Sequence, residues 1–171
     1  MILPYGRAGG AKSCELLSFI LYKEAEHRLF GTMNMMKMTQ DQVIAKLRGA
    51  GLRPTRQRIA LAMELFANGD RHVTAEELHR EAAKKDLSIS LATIYNTLNQ
   101  FTRAGLLREV IADGAKAFYD TNTTEHYHFY SQKHDCLIDI PGDQLTISKM
   151  PPLPEGAKVA SIDVIVRLAD K

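Results

Sequence analysis

The chain has no tryptophan, only two cysteines and only six prolines in 171 residues, and no apolar run of membrane-spanning length. Cys14 and Cys136 cannot build a disulfide framework, and no C-x-x-C pair is present to hold a thiolate zinc site. A reducing, cytoplasmic location is the expectation. The stretch "LLSFILY", residues 16–22, falls far short of the ~20 apolar residues that a membrane helix needs. No small-x-small cleavage site follows it, so it does not read as a signal peptide either. Charge of one sign is lacking too. With 22 Lys plus Arg against 20 Asp plus Glu the formal net charge is +2, and bulk charge singles out no polyanionic partner.

What is present is a hydrophobic content of 45%, enough to build a packed core. Charge is also unevenly placed. Between Gln42 and Met63 stand Lys46, Arg48, Arg53, Arg56 and Arg58 with no acidic residue among them, a stretch suited to facing phosphates.

Residues 1–39 lack strong caps or a sustained period, and Met33, Met35, Met36 and Met38 cluster at their end; they read as a loosely attached extension or the product of an upstream start codon. From Thr39 the pattern sharpens. Val43, Ile44 and Leu47 recur at helical spacing until "GAGLRPT" stops the helix. Thr55 can cap a second helix with Ile59, Ala62, Met63 and Phe66 on one face. Thr74 and Glu77 have capping-box spacing before "AEELHREAAKKD". Ser90 caps "LATIYNTLNQFTRAGLL", where Ile94, Leu98 and Phe101 form the inward stripe, Gly105 ends the helix, and Thr93, Asn96, Thr97 and Gln100 point elsewhere. The period then changes to two in "LLREVIADGAKAFYDT", whose arms flank the hairpin signal Asp113-Gly114. Helices followed by a hairpin describe a winged helix, in which the last helix enters the major groove. Farther on, "HYHFY", "CLIDI" and "KVASIDVIVRL" read as strands, with Pro151, Pro152 and Pro154 excluding a helix between the last two. The expectation from the pattern is an α+β chain: an extension over 1–39, a winged-helix DNA-binding domain over 40–115, and a mainly β second domain over 116–171.

The helix after Ser90 opens with small or hydrogen-bonding residues, Ala92, Thr93, Tyr95, Asn96 and Thr97, of the kind that approach base edges. Arg53, Arg56 and Arg58 would supply phosphate contacts, the source of most affinity. The same pattern also fits an amphipathic helix with a solvated outer face.

The stretch "TEHYHFYSQKHDCLID" holds the other concentration of chemistry. Alternate strand residues share a face, so His126 and His128 have Cβ atoms about 7 Å apart, close enough to share an ion. Asp139 would come from the next strand and Asp120 from the one before. His72, read as loop, joins them only if the two halves fold together. Nitrogen and carboxylate donors without thiolate favour Fe²⁺, Mn²⁺ or Zn²⁺. An H-x-H is equally the mark of two surface histidines on an exposed strand. His134 and Cys136 fall in a turn-like segment, with Cys136 reading as a small apolar strand residue.

Together "LRPTRQRIA", "HVTAEELH", "SLATIYNTLNQFTRAGLL", "FYDTNT", "HYHFY", "LIDIP" and "DVIVRL", in this order from about Asp41 to Lys171, resemble the ferric uptake regulator family, and more narrowly its iron response regulator branch. The resemblance implies a winged-helix domain joined to an α/β dimerisation domain, working as a homodimer on double-stranded operator DNA, without enzymatic activity. The family's reading motif falls on Ser90, Thr93, Tyr95 and Asn96, and its T-x-Q-R on Thr55, Gln57 and Arg58. Its regulatory metal site falls on His72, Asp120, His126, His128 and Asp139, for Fe²⁺ or Mn²⁺, with Zn²⁺ as a stand-in in vitro. Ser131 and His134 occupy the place of the family's first C-x-x-C, so the structural four-cysteine zinc is expected to be missing, as in the iron response branch. That branch implies haem binding at its histidine motif, with His126 and His128 as candidates, although the three consecutive histidines it usually carries are reduced here to H-x-H and its cysteine-proline motif is absent. The implied function is a regulator of iron and haem homeostasis responding to haem or divalent metal. An Fe- or Mn-dependent peroxide-sensing repressor is the alternative within the family, and a small metal-dependent enzyme using His126, His128 and Asp139 the alternative outside it.

Overall fold

A computed structural model describes residues 38–67, 69–114 and 116–169. Residues 1–37 of the extension, with Cys14, Met33, Met35 and Met36, lie outside the described residues. Those described divide into two compact units, one ending at Thr124 and one beginning at Glu125.

The first unit is built by short, well-marked helices. Helix α1 (Gln40–Gly49) opens on a capping box in which Thr39 and Gln42 satisfy each other's backbone N–H groups, and it turns Val43 and Leu47 inward. Helix α2 (Arg56–Phe66) is capped by Thr55 and buries Leu61, Ala62, Leu65 and Phe66. Helix α3 (Ala75–Lys84) has the second capping box, between Thr74 and Glu77. Helix α4 (Leu91–Arg103) starts where Ser90 Oγ accepts from the N–H of Thr93. It ends at Gly105, whose φ of 71° a residue with a Cβ would resist. Ile94, Leu98 and Phe101 line its buried face as expected. Thr97, expected outside, is buried with them, because its hydroxyl is satisfied by donating to the Thr93 carbonyl at 2.8 Å. The four helices share one core, to which Val73, Leu106, Leu107 and Tyr119 also contribute. Each such buried side chain stabilises the unit by about 1.5–3 kcal/mol.

The hairpin follows: β2 (Arg108–Asp113) and β3 (Lys116–Asp120) run antiparallel, with Asp113 opposite Lys116 and Gly114 at φ 53° in the turn. A two-residue strand, β1 (His72–Val73), completes the sheet in the order β1-β3-β2. His72 is thus on a strand and not in a loop, a pairing too short to carry a period. β3 belongs to this sheet, so the first unit runs on to Thr124 and the division read at residue 116 falls within the hairpin.

In the second unit β4 (His126–Ser131) is central. It pairs antiparallel with β5 (Cys136–Pro141) and parallel with β6 (Ile165–Leu168). Tyr130, Leu137, Ile138 and Ile140 are buried. The strand read across "KVASIDVIVRL" is confined to β6; residues 145–164 form no helix or strand after the single 3-10 turn Gly142–Gln144. The helical part of this α+β chain lies, among the described residues, in the first unit. No described helix is long and apolar enough to cross a membrane.

Candidate functional site

The first unit exposes the N-terminal half of α4. Tyr95 and Asn96 lie on its open side, and Ser90 Oγ and Thr93 Oγ1 are 2.9 Å apart at its start. The structure gives the three arginines different positions. Arg53 and Arg56 are exposed. Arg58 is engaged: its Nε donates to Gln100 Oε1 at 3.1 Å and its Nη1 to the Arg53 carbonyl at 2.8 Å. It ties the start of α2 to α4. Gln100, read only as pointing outward, is its acceptor.

A second contact has no signal in the sequence pattern. The Tyr95 hydroxyl donates to Glu76 Oε1 at 2.6 Å, from α4 to the first turn of α3 across 19 residues of chain. The phenol's proton holds the Glu76 carboxyl below its ordinary range, and the carboxylate raises the Tyr95 phenol in turn. Tyr119 makes a parallel link from the wing, its hydroxyl donating to Asn99 Oδ1 of α4 at 3.4 Å. Burial, with Glu109 as the next cause, pushes that phenol up to about 12.

Each unit also brings metal-binding side chains together. In the first, the ladder sets His72 directly opposite Asp120, with Nε2 3.6 Å from Oδ2. Asp120 is fully buried, and its Oδ1 accepts from the N–H of Asn122 at 2.8 Å, which fixes the carboxylate's direction. In the second, His128 stands opposite Asp139. The Nε2 atoms of His126 and His128 face each other at 2.9 Å, with Asp139 Oδ1 3.6 Å and 3.8 Å from them. Donors bound to one ion at about 2.0–2.2 Å lie about 3–4 Å apart, so both sets have spacings that a small cation accepts. Imidazole nitrogen with carboxylate oxygen, and no thiolate, is the donor chemistry of Zn²⁺, Fe²⁺ or Mn²⁺.

His134 is not part of either set. Its Nδ1 lies 3.0 Å from Ser131 Oγ, and its backbone N–H also reaches that hydroxyl at 3.4 Å, closing the β4–β5 turn. Cys136 is buried at the start of β5, opposite Ser131.

Four short helices, the last exposed along its N-terminal half, and a β-wing define a winged-helix unit. The chain belongs to the ferric uptake regulator family, whose model matches residues 49–166. The peroxide-responsive repressor PerR of Staphylococcus epidermidis is 36% identical over 105 residues, covering 61% of this chain and 69% of that protein. The Staphylococcus aureus (strain Mu50) repressor of the same name is 34% identical over 105 residues, covering 61% and 70%. Among solved structures, the ferric uptake regulator of Vibrio cholerae aligns with a TM-score of 0.58 and 21% identity, over 72% of this chain and 96% of that one. That of Pseudomonas aeruginosa, solved with manganese, aligns with 0.57 and 21%, over 78% and 99%. At such identities the structural likeness establishes the fold.

Proposed function

We propose that the protein is a cytoplasmic, homodimeric, sequence-specific regulator of iron homeostasis that binds double-stranded operator DNA through α4 and responds to a divalent metal. One observation carries the choice of ligand. Two buried imidazole nitrogens 2.9 Å apart, with a carboxylate oxygen within 4 Å, converge on a volume that fits one ion. We assign His126, His128 and Asp139, together with His72 and Asp120, as ligands of one regulatory Fe²⁺ or Mn²⁺, which Zn²⁺ would replace in vitro. The ion would supply positive charge that draws its ligands together. A sensor of this kind works only if the DNA-competent arrangement binds the ion differently from the incompetent one. Ser90, Thr93, Tyr95 and Asn96 would meet base edges, and Arg53 and Arg56 phosphates.

Haem at His126 and His128, the expectation of the iron response branch, draws no support from this geometry. The two nitrogens face each other across 2.9 Å, a spacing that leaves no room for a haem iron held between them. Peroxide sensing has a specific observation behind it, since the Staphylococcus relatives carry that name. It requires oxygen added to His72 or His126 of the iron-loaded protein after peroxide, which mass spectrometry reads directly. The main proposal is tested by electrophoretic shift on iron-gene promoters with metal-loaded, chelated and haem-treated protein. A shift that follows the metal supports it. No shift at any such promoter overturns it.

A further inference from the structure

We infer that Glu76 is a positioning residue for DNA reading: by accepting the Tyr95 hydroxyl it fixes the one aromatic side chain on the open side of α4, and thereby sets base preference at the position that Tyr95 covers. The inference rests on the proposed DNA-binding role of α4 and adds to it a residue that lies outside the reading helix.

The geometry comes first. Glu76 and Tyr95 sit on different helices, and both are exposed. At 2.6 Å the O–H···O contact has the length of a charge-assisted bond, the stronger class. Such a bond between exposed groups persists only if both ends are held. Here they are. Glu76 lies in the first turn of a helix anchored by the Thr74–Glu77 capping box, where its charge also meets the favourable end of the helix dipole. Tyr95 follows buried Ile94 on α4, and α4 is fastened to α2 through Arg58 and Gln100. Arg80 and Lys116 add attraction for the Glu76 charge.

A carboxylate beside a DNA-reading helix is costly, because it repels phosphates. A tyrosine left free would have to be ordered on binding, and pre-ordering removes that cost for the correct sequence. The hydroxyl committed to Glu76 also cannot donate to a base, so the exposed ring is what remains to make the contact. Glu76 therefore trades general affinity for discrimination. A glutamate that merely repelled DNA would change all sequences alike.

Random-sequence selection with the full-length, metal-loaded protein provides the test. Tyr95→Ala first identifies the base position that Tyr95 covers. Glu76→Ala and Tyr95→Phe are each expected to weaken preference at that same position about tenfold, leaving the other positions as they were. The double variant is expected to be no worse than either single one, since the two residues act through one bond. Glu76→Gln keeps an acceptor oxygen and loses the charge. It should retain the preference while binding random DNA more tightly. Thermal unfolding of each variant checks that the fold is intact. If Glu76→Ala leaves the Tyr95 position as selective as before, or if Glu76→Ala and Glu76→Gln behave alike, the inference is overturned. If the unmodified protein selects no sequence, it is the DNA-binding reading that fails.

Discussion

Asp120 stands directly opposite His72 in the β1–β3 ladder, with its Oδ2 3.6 Å from the His72 Nε2, and the N–H of Asn122 aims the carboxylate. Two residues 48 apart in sequence are thereby fixed by backbone pairing rather than by side-chain chance.

From this pairing and the converging imidazoles we expect Asp120→Ala and His128→Ala each to weaken Mn²⁺ binding by more than about tenfold, the loss that follows even when a group merely orienting a ligand is removed. Competition against a chelator of known affinity measures it. Affinity unchanged in both variants would sink the assignment of these residues as ligands.

The arginines separate into two kinds. Arg56, exposed and free to meet a phosphate, should on replacement by Ala lower affinity evenly across sequences and reduce the salt slope by about 0.9. Arg58→Ala should instead lower stability, because Gln100 Oε1 and the Arg53 carbonyl lose their donor. Binding titrated at several salt concentrations, beside thermal unfolding, distinguishes them; identical behaviour would contradict the division.

Phe101 is fully buried beside Phe66, their ring centroids 6.4 Å apart. Phe101→Ala should destabilise the first unit by about 3–5 kcal/mol, read by urea unfolding. A loss under about 1 kcal/mol would mean that this core is not packed as described.

The Tyr95–Glu76 bond also predicts a pH response. Glu76 titrates below its ordinary value of 4.5, chiefly because Tyr95 donates to its charged form. A folded-state pKa below the unfolded one means that the bond's contribution is present above that value and is lost as pH falls through the folded pKa. Tyr95 lies on the other side: raised above 10.0, its contribution holds below that pH and fades as the phenol ionises. In Tyr95→Phe the Glu76 carboxyl carbon should titrate higher than in the unmodified protein when followed by NMR. No upward movement would show that the bond is not formed in solution.

Much of the winged-helix unit can be read from local residues. Thr39, Thr55, Thr74 and Ser90 cap the four helices because capping needs only a side chain within three residues of its target, and Asp113-Gly114 marks its hairpin for the same reason. Non-local features escape. β1 has two residues and no period, and Thr97 is buried only because its hydroxyl finds a carbonyl one turn back. β6 is short despite the apolar run before it, since Val159 and Ile162 stay exposed without a pairing partner among the described strands.

The sites divide along the same line. His126 and His128 announce themselves by strand alternation, and Asp139 by falling on the next strand. The pairing of His72 with Asp120 needs the wing sheet to form first. Glu76 is beyond any pattern, because its role depends on where α3 and α4 meet and not on what either helix spells.

The turn from β4 to β5 is closed by Ser131 and His134 through two hydrogen bonds, and a chain with two cysteines cannot put a four-thiolate ion there. The strand carrying His126 and His128 is therefore fastened without drawing on the supply of metal. Stripping a metal from those imidazoles would accordingly leave this turn closed, since neither of its two hydrogen bonds involves an ion.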